Sequence, residues 1–306
     1  MITILGPTAS GKTALASRLA HLLGAEIISA DSRQVYRGMD LGTGKDLADY
    51  EVEGTKIPYH LIDILPAGEK YNLHCYMRDF HHAYHQIKEK GKPIILCGGT
   101  GLYIEAVLKG YHLPEVPVNP GLREKLSGLS AKELKDILAS YGPLHNTTDL
   151  DTERRTIRAI EIADYIHRQK QIEEKVYPPI PSVILGTSVS RELRRSRISQ
   201  RLTQRLNEGM LDEVQKLLNS GINAEDLIYY GLEYKYLTLH LIGQLPYSDM
   251  VSQLETAIHQ FAKRQMTWFR GMERRGLHIH WIDASLSLAE QLEQAIELIQ
   301  KNSRDA

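Results

Sequence analysis

The chain has 306 residues, 42% of them hydrophobic and 25% charged, with 37 Lys and Arg against 38 Asp and Glu for a formal charge of -1. These proportions exclude disordered, collagen-like and coiled-coil classes and leave room for two domains, or for one large core carrying an insertion. So neutral a balance gives the bulk protein no general attraction for nucleic acid or an anionic membrane, and any polyanion must be met by local patches.

In chain order, MITILGPTASGK runs straight into a glycine-rich turn without a basic leader or a cleavage-like site, as expected of a chain without a signal peptide. Ile2-Thr3-Ile4-Leu5, the helical pattern Ala14 to Leu23, Ile27-Ile28-Ser29-Ala30, and Pro93 to Cys97 before Gly98 alternate in the rhythm of βα units on a parallel sheet. Leu122 to Tyr141 and Glu153 to Gln169 show helical spacing, bracketed by Pro114, Pro117 and Pro120 on one side and Pro178, Pro179 and Pro181 on the other. Ser182 to Leu185 and His278 to Ile282 are short, rich in β-branched residues and bounded by turn formers, as late strands of the same sheet would be. The expected fold is α/β, a P-loop NTPase-like parallel sheet flanked by helices. Its core covers 1–113 and 182–306, and 114–181 form an inserted helical domain. No stretch reaches the roughly 18 to 20 apolar residues of a membrane span. Two cysteines, Cys75 and Cys97, are too few for a disulfide framework and lack metal-ligand spacing, so a reducing, cytoplasmic setting is expected.

Gly6-Pro7-Thr8-Ala9-Ser10-Gly11-Lys12-Thr13 fits G-x-x-x-x-G-K-[ST] between a strand and a helix, the context that motif needs. Its glycines let backbone amides converge on phosphate oxygens at a helix N-terminus, Lys12 neutralises charge, and the Thr13 hydroxyl can ligate Mg²⁺. The loop points to polyphosphate binding and leaves the reaction type open, as it leaves open whether ATP binds. Asp31 follows the second strand at the edge where open α/β sheets bind ligands, which makes it a candidate general base; a helix N-cap or a Mg²⁺-shell acid fits its spacing equally well. Gly98-Gly99-Thr100-Gly101 brings a flexible turn and a hydroxyl to the same edge. Arg194, Arg197, Arg201 and Arg205 recur at three and four residues along one helix face, able to clamp a leaving diphosphate or simply solvated. Lys263 to Arg270 interleaves positive charge with Trp268 and Phe269, as RNA backbone and splayed bases require, although both rings also suit a helix core.

GPTASGKT, ADSRQVY, GGTGLY, RRTIRAIEI, GMLDEV and AKRQMTWFR, in this order over almost the whole chain, resemble the bacterial tRNA dimethylallyltransferases. The resemblance implies transfer of a dimethylallyl group from dimethylallyl diphosphate, with Mg²⁺, to the exocyclic amine of the adenine just 3′ of the anticodon. It implies the anticodon stem-loop of tRNA as partner, no membrane, and action as a monomer. The diphosphate-binding stretch then falls on Gly6 and Thr8 to Thr13, with Arg197 as the diphosphate-binding arginine. The tRNA-contacting residues fall on Asp31, Ser32, Arg33 and Gln34, on Arg154 and Arg155, and on Lys263, Arg264, Gln265, Trp268 and Arg270, with Thr100 beside the target base. Asp31, Lys12, Thr13 and Arg197 carry the chemistry in that reading, and Thr13 holds the metal.

The chain departs from the family's pattern in four places. GTAKP is replaced by Gly42-Thr43-Gly44-Lys45-Asp46, a Tyr-Ser helix opening by Tyr71-Asn72-Leu73-His74, and Asn-Pro before the paired arginines by Thr152-Glu153. The Gly-Tyr-Lys segment is stretched into Tyr230 to Lys235. Two other functions use the same features: a P-loop kinase of a nucleoside or other small metabolite, and a non-catalytic RNA-binding protein.

Overall fold

Ile2–Leu5 (β1) is buried at every residue, as a central parallel strand covered on both faces must be. The computed structural model, which describes residues 1–111, 116–142, 150–168 and 177–304, continues from β1 through a loop into α1 (Lys12–Leu23). Then come β2 (Glu26–Ser29), a short edge strand β3 (Tyr59–His60), α2 (Leu73–Glu89), β4 (Ile94–Gly98) and α3 (Gly101–Lys109). Further along lie β5 (Val183–Ser188) and β6 (Ile279–Asp283). The sheet order is β6-β5-β1-β4-β2-β3, and every neighbouring pair is parallel. All strands therefore end at one edge, where the loops after β1, β2 and β4 meet. Ile4, Leu15, Leu19, Ile27, Ile95, Leu185 and Ile282 lie in the core between the sheet and α1.

Two compact units divide the chain, Met1–Gly110 with Pro178–Ala306, and Tyr111–Tyr177. The smaller holds α4 (Pro120–Leu126), α5 (Ala131–Ser140) and α6 (Glu153–Arg168) around Leu126, Leu134, Leu138 and Ile160. Helical spacing over Leu122 to Tyr141 thus resolves into two helices. Gly128 at φ 83° breaks the run and Ser130 restarts it, in a reciprocal capping box with Glu133. Gln169, the expected end of the next helix, lies outside the described residues. In the larger unit, α7 (Arg191–Asn207), α8 (Met210–Asn219), α9 (Ala224–Tyr229), α10 (Leu232–Leu241) and α11 (Tyr247–Arg274) follow β5, and α12 (Leu288–Arg304) follows β6. The sequence reading had no β3, since two residues carry no period.

Gly98 brings the ends of β2 and β4 together: a Cβ there would lie 2.2 Å from the Ala30 carbonyl oxygen. At the opposite end of β2, Glu26 is 2% exposed and accepts from Lys90 Nζ at 3.1 Å, pairs with His60 Nε2 at 2.8 Å, and lies 3.2 Å from Lys92 Nζ. Burial alone would raise this carboxyl, but the hydrogen bonds from His60, Lys90 and Lys92 outweigh it and hold the pKa at about 2. A folded-state pKa below the ordinary 4.5 means that the ionised form stabilises the fold. That stability is complete above the unfolded value and disappears as pH falls toward the folded one. In denaturant unfolding, the stability gap between the parent and Glu26→Gln should shrink by up to about 3 kcal/mol as pH is lowered through this window. A gap independent of pH would show that Glu26 acts through packing alone.

Candidate active site

The phosphate loop is pinned before it curls. A Cβ on Gly6 would lie 2.3 Å from Thr187 Oγ1 and 2.5 Å from Ser10 Oγ, so only glycine lets the loop lie against β5, where Ser10 and Thr187 hydroxyls bond at 2.7 Å. Ala9 (φ 59°) and Gly11 (φ 78°) both take the left-handed conformation and turn the chain into α1 at Lys12. Lys12 Nζ folds back to 3.5 Å from the Pro7 carbonyl. Burial pushes its pKa below the ordinary lysine value, which nearby Asp31 opposes. Beneath it the Cys97 thiol, pushed up to about 12 by burial, is a neutral core group.

No helix follows β2, so Asp31 is not a helix cap; 31–34 form an irregular turn. Asp31 Oδ1 accepts from Arg33 N at 2.9 Å, and Thr100 Oγ1 accepts from Ser32 N at 3.1 Å. Gln34 accepts from Ser29 Oγ at 3.2 Å and donates to the Gly44 carbonyl at 3.1 Å, linking this turn to the 40–46 loop. Gln265 on α11, 8% exposed, accepts from Thr8 N and donates to the Gly99 carbonyl, both at 2.9 Å. Its amide thus clamps the phosphate loop to the turn after β4, where the sequence reading expected an RNA contact.

The 40–46 loop is held from both sides. Glu213 on α8 accepts from the amides of Asp40 and Leu41 at 2.8 Å and Gly42 at 3.1 Å, and from Tyr234 Oη at 2.6 Å. Lys45, 1% exposed, donates to the Tyr36 carbonyl and Asp40 Oδ1 at 2.6 Å and also to Asp63. Between these anchors Gly44 passes under two guanidiniums: a Cβ there would lie 2.7 Å from Arg205 Nη2 and 3.0 Å from Arg201 Nη2. Both arginines reach the Asp46 carboxylate.

Together these segments line a cavity of about 320 Å³. Thr8 to Thr13, Asp31 to Gln34 and Thr100 contribute to its lining; Arg201, Arg205, Arg264, Asp46, Asp49 and Glu233 complete the charged part, with Ile258, Phe261 and Leu232 as its apolar part. Burial, then Arg205, lowers the pKa of Arg201, while burial raises the carboxyls of Glu233 and Asp49. Such a site can bind a polyanion beside a carboxylate.

The family model described as IPP transferase matches residues 34–272. The chain belongs to the IPP transferase family. It is 65% identical to tRNA dimethylallyltransferase 1 of Porphyromonas gingivalis over 99% of this chain and 100% of that protein. The solved tRNA isopentenylpyrophosphate transferase of Bacillus halodurans is 30% identical, covering 99% of this chain and 98% of that one at a TM-score of 0.71. A eukaryotic dimethylallyltransferase captured acting on tRNA shares the fold at a TM-score of 0.75 and 23% identity, over 93% of this chain and 73% of that one. Membership in a transferase family sets aside both the kinase and the non-catalytic readings.

The remaining sequence-predicted residues separate in space. Arg197 donates to the Ala284 carbonyl at 3.0 Å and lines a different depression, on the Ala9-Ser10-Gly11 side of the loop; the stripe members that reach the main cavity are Arg201 and Arg205. Arg270, with Arg191 and Arg194, borders a separate cavity of about 330 Å³. Lys263 is exposed on α11, and Arg264 lies over the Phe261 ring, its Cζ 5.9 Å from the centroid. Phe269 is core, whereas Trp268 stays 39% exposed and packs on Gly101. Arg154 and Arg155 start α6 in the smaller unit, where Arg155 pairs with Asp151 at 2.9 Å. Glu213, Glu233, Asp46 and Asp49 were missed as site residues, although Glu213 lies within GMLDEV, Glu233 within the stretched Tyr230 to Lys235 segment and Asp46 within the replaced 42–46 segment; Asp49 had no signal.

Replacing Gln265 with Leu keeps the volume and leaves Thr8 N and the Gly99 carbonyl without their partner. Each unsatisfied buried group costs roughly 1 to 3 kcal/mol, so denaturant unfolding should show a loss of about 2 to 6 kcal/mol. A variant as stable as the parent would mean that the two loops hold their places without the bridge.

Proposed function

We propose that this chain transfers a dimethylallyl group from dimethylallyl diphosphate to the exocyclic amine of the adenosine 3′-adjacent to the anticodon in tRNA, releasing diphosphate. The observation that carries this reading is that Asp31 and Lys12 line one cavity, a candidate proton acceptor in the same space as the phosphate-loop lysine. An adenine amine is a weak nucleophile, so the allylic carbon–oxygen bond must loosen as the amine approaches. The electron pair of that bond leaves on the diphosphate, the amine lone pair closes on the allylic carbon, and the amine proton passes to the Asp31 carboxylate. Amides of residues 9–13, Lys12, Arg201 and Arg205 line the same cavity and would stabilise the charge that develops on the leaving group. Thr100, through its bond to Ser32 N, steadies the turn that carries Asp31.

Among the described residues no three His, Cys, Asp or Glu side chains converge as a metal centre. The Thr13 hydroxyl at the start of α1 would be the protein's ligand to a Mg²⁺ bound with the diphosphate. Bound there, the ion adds to the neutralisation of the diphosphate.

The target base is stacked in the anticodon loop and must be flipped into the cavity, at a cost of a few kcal/mol offset by contacts to the RNA backbone. With a net charge of -1, those contacts rest on local arginines and lysines. Arg191, Arg194 and Arg270 support such a patch: burial, then the like charges of Arg270 and Arg191, lowers the pKa of Arg194, an arrangement that a phosphodiester would relieve. Among the described residues no helix is long and apolar enough to cross a membrane.

Asp31→Asn keeps the shape of the turn and removes proton acceptance. Single-turnover transfer should fall roughly 10²-fold or more while tRNA binding by the folded variant is retained. Transfer within a few-fold of the parent would remove Asp31 from the chemistry.

A further inference from the structure

Arg201 and Arg205 are four residues apart on α7, so both side chains leave the same face, and both end on Asp46. Arg205 Nη2 lies 2.9 Å from Asp46 Oδ1, and Arg201 Nη2 grips the other oxygen. Among the described residues no other carboxylate lies within ion-pair distance of either guanidinium. Two guanidiniums sharing the oxygens of one anion beside the phosphate-loop amides is also the arrangement by which a diphosphate would be held.

Asp46 differs from the loop that carries it. Residues 40–42 are tied to Glu213 and Lys45 is buried, whereas the Asp46 side chain is 43% exposed. Its backbone, at φ 29° and ψ 55°, lies outside the regions that L side chains adopt readily. The arginines hold this carboxylate; the loop does not.

We propose that Asp46 is an internal counter-anion that holds Arg201 and Arg205 until a diphosphate displaces it, so that this one residue sets how tightly the diphosphate is kept. The inference rests on the phosphate-loop reading above. A diphosphate carries more negative charge than a carboxylate and wins the exchange. The displaced carboxylate stays close by and repels the bound anion, which loosens both the allylic diphosphate and the released product.

Inorganic pyrophosphate, at one fixed Mg²⁺ concentration, is titrated calorimetrically into the full-length parent, Asp46→Asn and Asp46→Gly. Asn and Gly both tolerate the left-handed backbone, and both remove the charge. Both variants should bind pyrophosphate about tenfold or more tightly than the parent, the order expected when one opposing unit charge leaves a partly buried anion site. Pyrophosphate should inhibit their transfer reaction at correspondingly lower concentrations. Unchanged or weaker binding in both variants would overturn the proposal and make Asp46 a brace for the arginines. A parent that binds no pyrophosphate would overturn the phosphate-loop reading and this inference with it.

Discussion

Like charge gathered on one anion cradle is the constraint around which the larger unit is built. Lys12, Arg201 and Arg205 line one cavity of about 320 Å³, and burial works against the charged form of both Lys12 and Arg201. Cations assembled in this way repel one another and lose hydration, so the surrounding structure must hold them in place. The means are visible: Gly44 passes under the guanidiniums where a Cβ would collide, Glu213 pins the loop that contains it, and Gln265 fastens the phosphate loop to the turn after β4. The parallel sheet delivers these loops to one edge.

What the amino-acid sequence made legible follows from how local each signal is. Buried parallel strands are continuous apolar runs, so β1, β2, β4, β5 and β6 could be read directly, and a phosphate loop between strand and helix declares itself. Asp31 could not be separated from a helix cap by spacing, because Asp favours caps and turns alike. The structure separates them by starting no helix there. Periodicity placed the arginines of α7 on a stripe, yet which guanidiniums reach the cavity depends on packing against a loop some 155 residues earlier, as the Arg201–Asp46 pair shows. Glu213 sits in the GMLDEV motif, yet nothing local says that its carboxylate serves amides 171 to 173 residues away.

Near-neutral net charge gives the positive patches their meaning. Bulk attraction would bind any polyanion; local arginines bind only one that fits their spacing. The larger unit carries two such sets on different cavities, Arg201 with Arg205 beside the phosphate loop and Arg191, Arg194 and Arg270 elsewhere. The smaller unit carries its own, Arg154 and Arg155 at the start of α6. Separate sets suit the proposed reaction, in which a small diphosphate and a large RNA would be recognised independently and brought together at one carboxylate.

The most direct measurement of that central claim is mass spectrometry of nucleosides released from tRNA that has been incubated with the protein, Mg²⁺ and dimethylallyl diphosphate. The account predicts one adenosine, adjacent to the anticodon on its 3′ side, carrying a dimethylallyl group on its exocyclic nitrogen, with diphosphate released in equal amount. Unmodified adenosine at that position in a tRNA the protein binds, or a phosphorylated product formed at the expense of ATP, would contradict it.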